Sequence, residues 1–223
     1  DRAYAKLAFL CRHGRLPRTP PRTFNERISN LVGSGALEPL RPYCDKLAAR
    51  ELVARKIGAK YLVPLLATAD RLTPELWDRL PDAFMLKPNH GSSWYRLIRD
   101  KRAESFHELA AATANWLNKD YYYYYREGQY RGIRPVLLFE QVLYGDRVDE
   151  LVDYKFFCFH GKAMMVYVMW ERPVKHRLLY DLGWNKLAVR YKDPNDGHHP
   201  RPAALEEMRS VAETLAKDLE FVR

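Results

Sequence analysis

The chain has 223 residues, 47% of them apolar, and a formal net charge of +9. That is enough length to bury a sizeable core in one or two domains, and enough basic excess to favour anionic partners without naming which. No apolar run approaches the roughly 20 residues of a membrane-spanning helix, and the basic residues are spread along the chain instead of gathered into an arm, which weighs against nucleic acid and leaves contact with a membrane surface open.

Cys11, Cys44 and Cys158 are odd in number and lack metal-type spacing, so they read as reduced thiols of a cytoplasmic protein. The opening residues, Asp1 to Cys11, have no signal-peptide core, and the first residue is not methionine, which points to a trimmed N-terminus. Within Asp1–Arg12 the apolar residues Tyr4, Leu7, Ala8 and Cys11 have the spacing of one amphipathic helix. The three prolines of Leu16–Arg22 exclude helix there. Thr23-Phe24-Asn25-Glu26 reads as a capping box opening a helix to about Val32, ended by Gly33-Ser34-Gly35. Asp45 caps the next helix, with Leu47, Ala48, Leu52, Val53 and Ile57 as its apolar stripe and Gly58 as its stop. Lys46 thus falls in a first turn, where a cation opposes the helix dipole by a few tenths of a kcal/mol unless an anion lies close. The competing reading is an exposed, unpaired lysine.

Tyr61–Leu66 reads as a short edge strand, and Thr73–Arg79 as a short helix capped by Thr73. Phe84-Met85-Leu86 then runs into Lys87 and breaks at Pro88-Asn89-His90-Gly91-Ser92-Ser93 before a second apolar run, Trp94–Ile98, giving a β-hairpin with a long polar tip. Small residues at this tip can turn sharply and present backbone N–H groups, so lysine and loop together could hold a phosphate chain. A plain solvated hairpin is the alternative. Because Asn89–Ser93 has few apolar anchors, the tip is expected to open and close as a lid.

Ser105 caps a helix to about Leu117, and Tyr121–Tyr125 places five tyrosines in a row without a chemical role. Val136–Leu143, Leu151–Phe159 and Ala163–Trp170 read as three strands separated by Gly145 and by His160-Gly161, a mostly antiparallel sheet closed by a helix from Ala203 to about Leu219. The fold class is therefore α+β. In Asp153-Tyr154-Lys155 the strand period puts Asp153 and Lys155 on one face, either toward a ligand or as an ion pair in solvent. Cys158 reads as a buried small apolar residue, and His198-His199 as part of a solvated loop.

Thr23-Phe24-Asn25-Glu26, Tyr43-Cys44-Asp45-Lys46, Leu86-Lys87-Pro88-Asn89-His90-Gly91-Ser92, Asp153-Tyr154-Lys155-Phe156-Phe157-Cys158-Phe159 with Gly161-Lys162, and Tyr180-Asp181 with Trp184-Asn185 occur in an order that resembles the TupA-like family of the ATP-grasp superfamily, associated with surface polysaccharide biosynthesis. The resemblance implies two α+β lobes clamping ATP: a helical lead-in over 1–60, a lobe with the phosphate-covering hairpin over 61–133, and a lobe with the adenine hinge and central sheet over 134–223. It puts Lys46 and Lys87 on the triphosphate, covered by His90, Gly91, Ser92 and Ser93. Glu140, Gln141, Val142 and Leu143 become the hinge, with backbone groups of Gln141 and Leu143 on the adenine edge and Glu140 on the exocyclic amine. Asp153 would serve ribose or metal, Lys155 a phosphate, and Arg223 the catalytic step. The family's magnesium-binding acids fall beyond Arg223, so the C-terminal part of the fold is expected to be missing and the metal ligands are unassigned. The implied activity is a carboxylate–amine ligase using ATP and Mg2+ through an acyl phosphate, joining an acidic sugar or other carboxylate to an amino acid or amine. A kinase or glycosyltransferase of the same pathway, and a nucleotide- or polyanion-binding module without catalysis, are the alternatives.

Overall fold

The computed structural model describes residues 1–144, 151–170, 176–189 and 197–223. These group into two units, 1–52 with 62–142 and 53–61 with 143–223.

Capping chemistry sets the helix starts of the first unit. Helix α1 (Arg2–His13) ends at Gly14, whose φ of 67° is the left-handed stop that glycine adopts cheaply. Helix α2 (Phe24–Ser34) opens on the expected capping box: the Thr23 hydroxyl accepts from the Glu26 N–H, while the Glu26 carboxylate accepts from the N–H groups of Thr23 and Arg22. Glu26 is fully buried and also receives the Arg15 guanidinium at 2.6 Å. Burial raises its carboxyl pKa, but the donors of Arg22, Arg15, Arg18 and Thr23 win and hold it at about 2. The one-turn α3 (Arg41–Cys44) leads to α4 (Lys46–Ile57), whose residues from 53 onward belong to the second unit.

The first sheet comprises β1 (Leu65–Ala69), β2 (Phe84–Pro88), β3 (Arg96–Ile98) and β4 (Leu137–Glu140), paired antiparallel in the order β1-β4-β2-β3. The edge strand starts at Leu65, not Tyr61, because Ala59–Tyr61 coils into a 3-10 turn and Pro64 has no N–H to donate. For the same reason β4 stops at Glu140, opposite Leu65, short of the expected Leu143; its last link is the Gln141 N–H on the Pro64 carbonyl. Helices α5 (Pro74–Arg79) and α6 (Phe106–Leu117) start on the side chains of Thr73 and Ser105, as their sequences predict. The tyrosine run folds into a single turn, α7 (Tyr122–Tyr125). On one face of the sheet Phe84, Leu86, Leu137 and Phe139 are buried against Leu109 of α6, forming the unit's core. The period of two sends Met85, Lys87, Leu138 and Glu140 to the opposite face.

In the second unit β5 (Asp153–Phe159), β6 (Lys162–Trp170), β7 (His176–Tyr180) and β8 (Phe221–Val222) form an antiparallel sheet ordered β7-β6-β5-β8. Helix α8 (Leu205–Ala216) covers the face carrying Phe156, Cys158, Val166 and Leu178, so Cys158 is a core residue at 2% exposure. The β5–β6 turn needs Gly161: at φ 76° a Cβ would sit 3.1 Å from the Lys217 carbonyl oxygen. Gly145, expected as a strand separator, lies outside the described residues. The two units change over between Val142 and Leu143 and not near residue 134, because β4 is bonded on both sides inside the first sheet.

Candidate functional site

Four charged side chains converge at the β2–β4 end of the first sheet. Lys87 stands opposite Leu138, so Glu140 is its diagonal neighbour on the same face, and the Lys87 ammonium meets Glu140 Oε2 at 2.5 Å. Glu140 is only 5% exposed, and its Oε1 receives the Arg50 guanidinium at 3.2 Å. Arg50 also donates to the Val63 carbonyl at 2.6 Å. Arg50 was not legible as a site residue; the available signal was its position four residues after Lys46, which puts both on one helix face.

Lys46 does not stand unpaired in solvent. Its ammonium donates to the Gly91 carbonyl at 2.5 Å and lies 3.4 Å from that of Asn89, and its backbone N–H also bonds the Asn89 carbonyl, at 3.1 Å. These carbonyls answer the cation that the helix dipole disfavours, and they tie α4 to the loop. Burial, and next the charge of Lys87, bring the Lys46 pKa down from 10.5 to about 8. Two lysines this close, only partly answered by Asp45 and Glu140, form a local excess of positive charge.

The loop after β2 departs from the expected open lid in its first half. Asn89 and His90 are 1% and 3% exposed, and Gly91 is also buried. Asn89 is saturated with bonds: its Nδ2 donates to Asp45 Oδ1 and to the Arg134 carbonyl, and its Oδ1 accepts from the Val136 N–H. His90 Nε2 lies 3.0 Å from the Lys119 carbonyl, which can only accept, so the proton sits on Nε2. His90 Nδ1 is buried with no hydrogen-bond partner, and burial holds the ring's pKa below its ordinary value. The anchor that sequence reading missed is Trp94, placed there in a strand that instead begins at Arg96. Its ring packs on the Gly91 backbone so closely that a Cβ on Gly91 would lie 2.4 Å from it. The same ring makes edge contacts with His90, Tyr121 and Tyr124. Only Ser92, Ser93 and Tyr95 are exposed, and Ser93 has a left-handed φ of 64°.

At the expected hinge Val142 is buried and Leu143, already in the second unit, is 49% exposed. The Gln141 N–H is spent on Pro64, so only that residue's carbonyl could meet an adenine amine. Glu140 has one cation on each oxygen, which makes holding Lys87 its first task.

The other expected residues lie in the second unit. Asp153 and Lys155 share the β5 face opposite the α8 core, with Tyr154 packed on the core side, as strand period predicts. They form an ion pair at 3.6 Å, and Lys155 lies 5.9 Å from the Tyr167 ring centre. Arg223 follows β8, its guanidinium 5.8 Å over the Phe157 ring. His199 is half-buried, its N–H bonded to the Tyr180 hydroxyl and its carbonyl to the Trp184 indole, so it serves structure instead of being simply solvated. Among the described residues no three acids, imidazoles or thiols cluster as metal ligands, and no step below is routed through the metal. Among them, too, no helix is long and apolar enough to cross a membrane.

A family model described as TupA-like ATPgrasp matches residues 26–223, and the chain belongs to that family. ATP binding and ligase-type chemistry come with that membership. No curated protein matches the chain.

Proposed function

We propose that this ATP-grasp protein is a carboxylate–amine ligase acting through an acyl phosphate. A substrate carboxylate oxygen attacks the γ-phosphorus of ATP and ADP leaves. An amine nitrogen then attacks the acyl carbon, expelling phosphate and losing its proton to give the amide. Alignment and charge neutralisation carry such a reaction without a covalent nucleophile.

The observation that carries this reading is the pairing of Lys46, in the first turn of α4, with Lys87 of β2, close enough for the charge of Lys87 to act on it. Clustering Lys46 and Lys87 where burial and mutual repulsion already lower the proton affinity of Lys46 costs folding energy, and a bound polyanion would recover it. Lys87, held by Glu140, whose other oxygen Arg50 fixes, is the phosphate ligand. Lys46 has one ammonium proton beyond its two loop carbonyls for the same anion, and it holds the loop so that the backbone and hydroxyls of Gly91, Ser92 and Ser93 face the phosphates. His90 acts from beneath, through Lys119. Gln141 and Leu143 bind the adenine edge by backbone groups, with Glu140 and Val142 completing the hinge. Asp153 serves the ribose, and Lys155 and Arg223 the transferred phosphate. An acidic sugar polymer or its precursor is the carboxylate substrate that the basic balance of the chain favours, and the cytoplasm, where ATP is made, is its compartment.

Two measurements test this. Calorimetry should detect ATP or ADP binding that weakens in Lys87→Met. Hydroxylamine added to protein, ATP, magnesium and a uronic-acid oligomer should trap the acyl phosphate as a hydroxamate with stoichiometric ADP. ADP without hydroxamate, and a phosphorylated hydroxyl in the product, would mean a kinase. Nucleotide binding without turnover on any carboxylate would mean a binding module.

A further inference from the structure

We propose that the outward face of α1 is a docking surface for an anionic lipid bilayer, its apolar side chains entering the headgroup layer between flanking cations. None of the residues assigned to ATP takes part. Helix α1 precedes residue 26, where the family match begins.

A helix on the surface of a folded unit normally turns its apolar stripe to the core. Helix α1 buries only Ala5 and Phe9. Tyr4, Leu7, Leu10 and Cys11, spaced by three and four residues, gather on the side away from those two. All four are exposed, Leu7 at 59% and Leu10 at 38%. The stripe read from sequence, Tyr4, Leu7, Ala8 and Cys11, is therefore not the packing face of the helix; it lies on the accessible surface, widened by Leu10.

Charge indicates what covers it. Between Arg2 and Asn25 the sequence holds six lysines and arginines and no acid. By helical spacing Lys6 borders the stripe on one side, and Arg12 flanks it on the other, beyond Ala8. Neither cation has an acidic partner among the described residues. The acids nearest in sequence are already taken: Asp1 accepts the Tyr122 hydroxyl at 2.5 Å, and buried Glu26 meets Arg15 at 2.6 Å and Arg18 at 3.8 Å. A second copy of this chain would set a rim of one sign against itself, cation facing cation. The stripe is the convex outer side of a single helix, which suits a deformable bilayer better than a protein pocket. Anionic headgroups over hydrocarbon supply phosphates for Lys6 and Arg12 and an apolar layer for Leu7 and Leu10, the arrangement of an interfacial amphipathic helix.

The tyrosine run continues this surface. The Tyr4 hydroxyl donates to the Tyr124 carbonyl at 3.1 Å, and Tyr123, Tyr124 and Tyr125 are all exposed. Arg126 lies over the rings of Tyr122 and Tyr123. Tyrosine combines an apolar ring with a polar tip, and such side chains settle at headgroup depth. The exposed part of the run thereby gains a role.

The test sediments the full chain with vesicles of phosphatidylcholine, alone or with about 30% phosphatidylglycerol, enough anionic lipid to attract basic segments. Wild type should bind the anionic vesicles at least about tenfold more tightly than the neutral ones, and high salt should remove most of that difference. Lys6→Gln with Arg12→Gln should weaken binding to anionic vesicles by about tenfold or more. Leu7→Gln with Leu10→Gln, which keeps every charge, should weaken it by about tenfold. All four positions are exposed, so both double variants should keep the wild-type circular dichroism and unfolding midpoint. Cys11 gives a local readout, because it lies on the stripe and Cys44 and Cys158 are less exposed. Its reaction with a water-soluble maleimide should slow about fivefold or more when anionic vesicles are added. The proposal is overturned if wild type stays in solution with anionic vesicles. It is overturned too if the leucine variant binds as wild type does, which would mean attraction to any polyanion, or if vesicles bind without slowing Cys11, which would put the contact on another face. A wild type that is dimeric in sedimentation velocity, with a monomeric leucine variant, would give the stripe to a second copy instead.

Discussion

Each unit holds a lysine and a carboxylate two residues out of step on a sheet, and the two pairs differ in everything else. The pair in the first unit, Lys87 and Glu140, bridges neighbouring strands, closes to 2.5 Å, and leaves side chains only 26% and 7% exposed. In the second unit Lys155 and Asp153 follow one another along a single strand, stand 3.6 Å apart, and are 36% and 56% exposed. The first pair is fixed by Arg50, which holds the other oxygen of Glu140; the second is more exposed, with water for competition. The same residue types thus make a built site in one place and an adaptable surface pair in the other. Burial and the number of partners decide which, and not the presence of lysine beside an acid.

The comparison is broken most forcefully at Lys87. In Lys87→Met, nucleotide affinity should fall roughly 10- to 100-fold, and stability should drop by about 1–3 kcal/mol because buried Glu140 keeps only Arg50. Urea unfolding and calorimetry read the two effects. Adding Glu140→Gln should restore most of the stability and none of the affinity; recovery of both would show that Lys87 only neutralises Glu140. Gly91→Ala should cost about 1–3 kcal/mol, since its Cβ must displace the Trp94 ring. The change should also blue- or red-shift tryptophan fluorescence, and an unchanged spectrum with unchanged stability would mean the ring does not anchor the loop.

A smaller effect follows from Lys46. With its pKa near 8, it is about half protonated in the free protein at pH 8. Phosphate oxygens favour the charged form, so ATP binding there should take up about half a proton, falling toward none by pH 6.5. Calorimetry in buffers of different ionisation enthalpy measures this, and no uptake at pH 8 would remove Lys46 from the phosphate contacts. Unfolding has the matching sign. Above a pH of about 8 the folded lysine loses its proton before the unfolded one, whose pKa is 10.5, so its contribution to stability rises with pH between the two values.

What could be read from sequence was local. Caps at Thr23, Asp45, Thr73 and Ser105, and the alternation that separates Asp153 and Lys155 from Tyr154, depend on residues within one turn or one strand. Lys46 stood out because it misfits its own helix, and Lys87 because it ends an apolar run just before a turn of small, polar residues. Arg50, Asn89 and Trp94 did not, for their roles arise from contacts across the fold. Asn89 bonds Asp45, Arg134 and Val136, and no spacing rule points to such partners. The loop was misjudged for a related reason: small polar residues predict exposure, but here their polar groups are satisfied internally and a tryptophan covers them.

The smallest effect is expected at Lys155, and it is the sharpest test of the contrast. An exposed pair at 3.6 Å gains little Coulomb energy in water and loses side-chain freedom when it closes, so its net worth is roughly 0–1 kcal/mol. Lys155→Met retains the apolar stem beside the Tyr167 ring and removes only the charge. Unfolding free energy should therefore change by less than about 0.5 kcal/mol, in either direction. If Lys155 meets a phosphate, ATP affinity should still fall about tenfold in the same variant, giving binding loss without stability loss, whereas Lys87→Met loses both. Should Lys155→Met lose stability as Lys87→Met does, the second pair is structural after all. Should it lose neither, Lys155 is a surface lysine, and the phosphates belong to the first unit alone.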